Sequence, residues 1–227
     1  PSTFLHITKS EIDLPESTDI HSQKVYDKAK ENLQAFMSRN ILFRESKPCL
    51  YIYRLIMNGR SQTGLVCGSA VDDYDNGLIK KHEFTRPDKE QDRINHIKTT
   101  GAQTGNVFLA YKNVDAIDEI IHKWTSEKNP QYDFIAEDGI QHSIWIMNDD
   151  KVIKRITDLF KTDVPCTYIA DDHHRAASAA KVRSALGKKA TEHANYFLTT
   201  LFPSNQLQIM DYNRLIKDLN GLSEAEF

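Results

Sequence analysis

Two kinds of hydrophobic spacing run along the chain, and each marks a different element. Over residues 21–39 apolar side chains recur at Val25, Ala29, Leu33 and Phe36/Met37. That spacing lines one face of a helix and leaves a charged face outside. Residues 114–124 repeat it through Ile117, Ile120, Ile121 and Trp124. Residues 152–160 do so through Val152, Ile153, Ile156 and Leu159/Phe160. Elsewhere, runs rich in β-branched and aromatic residues meet at tight-turn dipeptides. Residues 48–57 and 61–71 flank Asn58-Gly59; residues 132–136 and 140–147 flank Asp138-Gly139. Such dipeptides tolerate the positive φ that short hairpin loops demand, so two hairpins are predicted. His142 alternates with apolar neighbours in the second hairpin and reads as a strand residue rather than a ligand.

Shorter runs predict strands at Phe4-Leu5-His6-Ile7 and over residues 107–111, 195–202 and 206–212. Residues 9–20, 101–105 and 203–205 read as loops, and residues 72–77 as a turn. A helix is predicted to begin near Pro87 and to end before Gly101. Proline suits a first helical turn, and Asp88 and Glu90 suit the positive end of the helix dipole there. Ser223 is placed to cap a further helix. The pattern is α+β, and residues 1–227 are expected to form a single domain, a length that can bury a substantial core. The missing initial methionine and the helix starting at Ser223 suggest a fragment of a longer chain.

Composition narrows the function classes. Hydrophobic residues make up 40% and charged residues 27%, ordinary proportions for a globular protein. A formal net charge of −3 gives no global basic field, so direct nucleic-acid binding is not expected. No stretch reaches the roughly 18 apolar residues of a membrane span, and no signal peptide is visible. Cys49, Cys67 and Cys166 are odd in number and lack C-x-x-C spacing. They read as buried free thiols in a reducing compartment, so a cytoplasmic setting is expected.

The densest chemistry lies in residues 167–180. A short apolar run, Tyr168 to Ala170, reads as a buried strand, and the alanine-rich sequence from Arg175 onward reads as a helix. Between them stand Asp171, Asp172, His173, His174 and Arg175. A strand that ends at a helix N-terminus is a favoured anion site, because free N–H groups and the helix dipole attract negative charge. Arg175 and an imidazole add charge-assisted hydrogen bonds to a phosphate. A second polar run, Lys81-His82-Glu83 with Arg86 and Arg93 beyond it, precedes the helix at Pro87. Alone it reads more readily as a solvated charge run. Gly101-Ala102-Gln103-Thr104-Gly105 has glycines bracketing Gln and Thr, which lets backbone approach a ligand or simply stops a helix.

These stretches, taken in order, resemble the bacterial family of uncharacterised proteins termed domain of unknown function 1015. The likeness runs through Ser2-Thr3-Phe4-Leu5-His6, the Tyr-Asp-Lys-Ala helix from Tyr26, Tyr51-Ile52-Tyr53-Arg54, Gln62-Thr63-Gly64 and residues 80–93. It continues through Ala102-Gln103-Thr104-Gly105, residues 168–177 and Asp211-Tyr212-Asn213-Arg214. Members of that family are typically longer at both ends. The family is in turn similar to the ParB/sulfiredoxin-like group, especially its free-serine kinases. The shared pattern is a His-Glu pair, matched by His82-Glu83, and Asp-Gly-His-His-Arg at a strand-to-helix turn, matched by residues 171–175. One position departs: Asp172 stands where the pattern has glycine. If that glycine takes positive φ, Asp172 is strained and adds negative charge beside the anion site.

The resemblance implies a ParB/sulfiredoxin-like mixed sheet with flanking helices and inserted β-hairpins. It also implies a kinase that transfers a phosphoryl group from ATP or ADP, with Mg²⁺, to a small hydroxyl compound such as free L-serine. Glu83, Asp171 and His174 become the catalytic candidates. Lys81, His82, Asp172, His173 and Arg175 become the nucleotide-phosphate candidates, and Arg86, Arg93, Gln103 and Thr104 the substrate candidates. No dedicated metal-ligand set is assigned; Asp171 assists a phosphate-bound Mg²⁺. A small-molecule substrate is the expected partner, no membrane is expected, and a homodimer is one option. Two alternatives remain. Asp172-His173-His174 spells the Asp-His-His motif of metal-dependent phosphoesterases, with Asp72, Asp73 and Asp75 as further ligands. The fold also suits a non-catalytic nucleotide-binding module.

Overall fold

The computed structural model describes residues 2–211 and 213–227. Eight strands form one mixed sheet in the order β3-β7-β4-β8-β2-β1-β6-β5. The strands are β1 (Leu50–Met57), β2 (Arg60–Ala70), β3 (Ile79–Lys80), β4 (Val107–Tyr111), β5 (Tyr132–Ile135), β6 (Gln141–Met147), β7 (Thr167–Asp171) and β8 (Tyr196–Pro203). The helices are α1 (Leu5–Thr8), α2 (Gln23–Ser38), α3 (Val71–Asp75), α4 (Pro87–Thr100), α5 (Asp115–Glu127), α6 (Asp150–Asp163) and α7 (His173–Leu186). The α+β reading therefore holds.

Both hairpins form as the turn residues dictate. Asn58 and Gly59 have φ of 52° and 76°, and β1 pairs antiparallel with β2 from Met57↔Arg60 onward. Gly139, at φ 80°, turns β5 into β6. His142 stands in β6 as expected, donating to or accepting from the Tyr53 hydroxyl at 2.7 Å and stacked on Phe134. One face of the sheet carries the core: Ile52, Leu65, Val107, Leu109, Tyr111, Trp145, Met147, Ile169 and Leu201 pack with Ile117, Ile121, Ile156 and Leu159. The helical positions read from the 3.6-residue period, Ile117 and Ile156 above all, are fully buried.

Several expectations need correction. Residues 4–7 are not a strand; they enter α1, closed by Thr8 N–H to Phe4 O at 3.2 Å and Lys9 N–H to Leu5 O at 2.7 Å. Four residues are too few for periodicity to separate the two forms, and docking on α2 decides it. Residues 72–77 are mostly α3 rather than a turn, because Val71 buries fully and anchors a helical turn. Residues 207–211 form no strand, and Tyr212 lies outside the described residues. β8 already has β4 and β2 as neighbours, so the chain leaving it has no free edge to join. The strand at residues 168–170 exists, but only Ile169 is buried; Tyr168 is 52% exposed. The three cysteines are free as expected, though half-buried rather than buried.

α4 is the brace between the N-terminal helices and the site. It packs on α2 and on α7. Glu90 of α4 is 4% exposed, and its carboxylate is shared between the Thr85 hydroxyl at 2.6 Å and the Lys181 ammonium. Burial pushes this carboxyl up, but the Lys181 and Thr85 contacts win and leave it below the ordinary glutamate range. The Ser178 hydroxyl adds bonds to the carbonyls of Glu90 and His174. Removing the lysine strands a buried charge, whereas neutralising the glutamate does not. Lys181→Ala is expected to destabilise the chain by about 2 kcal/mol, discounted because the lysine end is solvated. Glu90→Gln is expected to cost only about 1 kcal/mol, since its amide still meets Thr85. Urea unfolding of the two variants checks this order, and the reverse order would refute it.

Candidate active site

Topology brings three separated segments to one end of the sheet. β3 and β7 pair in parallel, Ile79↔Thr167 and Lys80↔Tyr168, so both chains leave the sheet at the same end. β4 runs antiparallel to β7 and enters the sheet there, with Phe108 opposite Asp171. Residues 81–86, 101–106 and 171–175 therefore converge, although they are far apart in sequence. β8 starts at this end too, and Gln103 fastens the middle loop to it. Its amide donates to Tyr196 O at 3.0 Å and accepts from Leu198 N–H at 2.9 Å.

Two imidazoles hold the first segment onto α7. His173, 4% exposed, accepts the His82 backbone N–H at Nε2, 3.4 Å away, and His174 accepts the Arg86 N–H at Nε2, 3.0 Å away. The Glu83 carboxylate lies 3.6 Å from His173 Nδ1 and 3.7 Å from His82 Nε2. The rings of His82 and His173 meet edge to face, 4.5 Å between centroids. Burial, with the neighbouring His82 imidazole, holds His173 below the ordinary histidine range against the pull of Glu83 and Asp171.

Asp172 adopts left-handed backbone, φ 70° and ψ 49°, a conformation that glycine takes freely. Aspartate is among the residues that tolerate it, though at a cost. Its carboxylate caps α7, accepting from Arg175 N–H at 3.4 Å, and also pairs with the Arg175 Nε–H. Among the described residues, no acceptor takes the backbone N–H of His173 or His174. The Arg175 guanidinium lies on the spot that a Cβ at residue 105 would occupy, so Gly105 is what lets this side chain lie flat. Arg93, His96, Gln103 and Thr104 line the same cavity of about 10 Å³, roughly room for one water.

A family model described as "Protein of unknown function (DUF1015)" matches residues 1–227. The chain belongs to this family. No curated protein and no solved structure matches it.

In this DUF1015 chain most of the candidate residues meet. Glu83, His82, His173, His174, Asp171, Asp172 and Arg175 share the sheet end, and Arg93, Gln103 and Thr104 sit beside Arg175. Two side chains turn elsewhere. The Lys81 ammonium lies 3.5 Å from the Tyr74 ring centroid, as a cation–π contact. The Arg86 guanidinium pairs with Asp88 at 2.8 Å, so only its backbone N–H serves the cleft. Thr85, Glu90 and Gly105 support the site and were not singled out as site residues. Only Gly105 left a signal in the sequence, as the close of Gln-Thr-Gly.

Two outcomes follow from this geometry. His96, which meets Ile7 O at 3.0 Å, is also held low, by burial. Between those lowered folded values and the ordinary value of 6.5, the unfolded chain binds more protons than the folded one. Stability therefore rises with pH across that window; the histidine contribution is complete above about pH 6.5 and is lost below it. Tm is expected to fall between about pH 7 and pH 5, and less steeply in His96→Gln; equal slopes would refute the assignment. Gly105→Ala is expected to displace the flexible Arg175 side chain, moving its Nε–H NMR signal, while Tm shifts by only a few degrees. An unmoved signal would show that Arg175 does not rest on Gly105.

Proposed function

We propose that this protein is a phosphotransferase that moves a phosphoryl group from a nucleotide to the hydroxyl of a small molecule, free L-serine or a similar compound. The observation that carries this reading is the placing of the Glu83 carboxylate 3.6 Å from His173, at the N-terminus of α7. A proton acceptor and a helix end with free N–H groups then share one cleft. Phosphoryl transfer asks mainly for positioning and charge neutralisation, and these are the parts it uses. Nucleotide phosphates lie on the N–H groups of His173 and His174. Arg175 offsets charge that develops on the transferred group, and Glu83 takes the proton of the attacking hydroxyl. Arg93 and Thr104 stand beside Arg175 around a space for one water, so the rest of the substrate lies outside that space, with Gln103 holding the loop in place.

Mg²⁺ prefers oxygen donors, and the exposed carboxylate of Asp171 at the end of β7 is suited to it together with phosphate oxygens. When bound, the ion neutralises phosphate charge. The finer fold reading, a ParB/sulfiredoxin-like core with added hairpins, accords with a site at the ends of parallel β3 and β7. A cytoplasmic setting suits three free cysteines and a nucleotide donor. The phosphoesterase reading has less support. The Asp172 carboxylate faces Arg175, His174 faces Arg86, and Asp72 pairs with Arg183 at 2.6 Å.

Asp172 sets the level of activity. Its carboxylate already holds Arg175 and the start of α7, so an incoming phosphate competes with it. The test incubates the protein with ATP or ADP, Mg²⁺ and a panel of hydroxyl amino acids, with product read by mass spectrometry. Glu83→Gln is expected to lower transfer by roughly 10²–10⁴-fold, the usual contribution of a general base. Asp172→Gly is expected to raise it. No product from the parent or from Asp172→Gly would refute the reading, and Mn²⁺-dependent phosphodiester hydrolysis would replace it with the phosphoesterase.

A further inference from the structure

We propose that His82, Glu83 and His173 form a binding site for a divalent transition-metal ion such as Zn²⁺ or Co²⁺. Among the described residues this is the one trio of metal-ligating side chains whose donor atoms all lie within 4.8 Å of one another. Donors around a single such ion at roughly 2.0–2.2 Å stand closer than that, so the trio must contract. It can do so cheaply. The side chains of His82 and Glu83 are 59% and 61% exposed and free to rotate, while His173 is fixed in the first turn of α7. The interaction given up is the His82 N–H contact to His173 Nε2 at 3.4 Å, long for a hydrogen bond. The adjacent residue in sequence, Lys81, has its ammonium engaged over Tyr74.

The donor set chooses the ion. Two imidazoles and one carboxylate suit Zn²⁺, Co²⁺, Ni²⁺ or Fe²⁺, whereas Mg²⁺ favours an all-oxygen shell. The remaining coordination positions face solvent and take water. Binding engages the Glu83 carboxylate. If Glu83 is the proton acceptor, a point that rests on the function proposed above, the same ion blocks phosphoryl transfer while Mg²⁺ supports it. The cleft then responds oppositely to two classes of metal.

The experiment titrates Co²⁺ into metal-free protein without nucleotide and reads the visible d–d absorption, with stoichiometry by elemental analysis. One ion per chain is expected, undisturbed by excess Mg²⁺. Affinity is expected to drop at least tenfold in His82→Ala and in Glu83→Gln, whose side chains are exposed and whose folding is not at stake. The surface variant His21→Ala is expected to bind as the parent does. Less than stoichiometric binding, or equal affinity in all four proteins, would overturn the site. Since this readout uses no nucleotide, it stands or falls apart from the kinase assay. A chain that binds Co²⁺ but transfers no phosphate keeps the metal site and loses the kinase.

Discussion

His173 and His174 accept backbone N–H groups, weakly from His82 and firmly from Arg86, and these contacts lay the segment that carries Glu83 along the start of α7. The segment between β3 and α4 is largely exposed and has no strand partner beyond Lys80, so these two contacts are what tie its backbone to α7. Consecutive residues at a helix start point in different directions. One imidazole reaches the beginning of the segment and the other reaches its end. α7 is joined to α4 directly as well, by the Ser178 hydroxyl on the Glu90 carbonyl and by the Lys181–Glu90 ion pair. A neutral imidazole is what this role requires, since a protonated ring has no lone pair to offer. Burial of His173 supplies that neutrality.

Asp172 shows two demands meeting at one residue. The turn from β7 into α7 calls for left-handed backbone, which glycine gives freely. Aspartate strains the turn but caps the helix and holds Arg175. The strain is of order 1 kcal/mol, and an aspartate cap returns about as much. Stability therefore says little about which residue belongs there. The electrostatic difference is larger in kind: a carboxylate now sits where an anion is otherwise attracted.

How far the sequence could be read followed from how local each signal was. Asn58-Gly59, the Pro87 start and Gly101 stop of α4, and the spacing of Ile117 and Ile121 depend on neighbours a few residues away, and all appear as expected. Residues 4–7 and 207–211 form no strand because a short apolar run takes its form from what it packs against, α2 in the first case, and not from its own spacing. Asp171 to Arg175 stood out because five polar groups follow an apolar run. Glu90 did not, since only the packing of α7 against α4 turns an ordinary first-turn glutamate into a buried one. Lys81 and Arg86 belonged to the right segment, but side-chain direction depends on Tyr74 and Asp88, which spacing does not reveal.

β3 is only two residues long and lies at the edge of the sheet. A ladder that short protects few amides, so its free energy of local opening falls well below that of the central strands. The segment it leads into can peel away by breaking the two imidazole contacts, the Thr85–Glu90 hydrogen bond and that brief ladder. In hydrogen-exchange terms the cleft is a separate, low-stability unit resting on a rigid sheet. Its occupancy by any ligand then raises the protection of residues 79–86 first, and the affinity measured for that ligand includes the work of holding this edge shut.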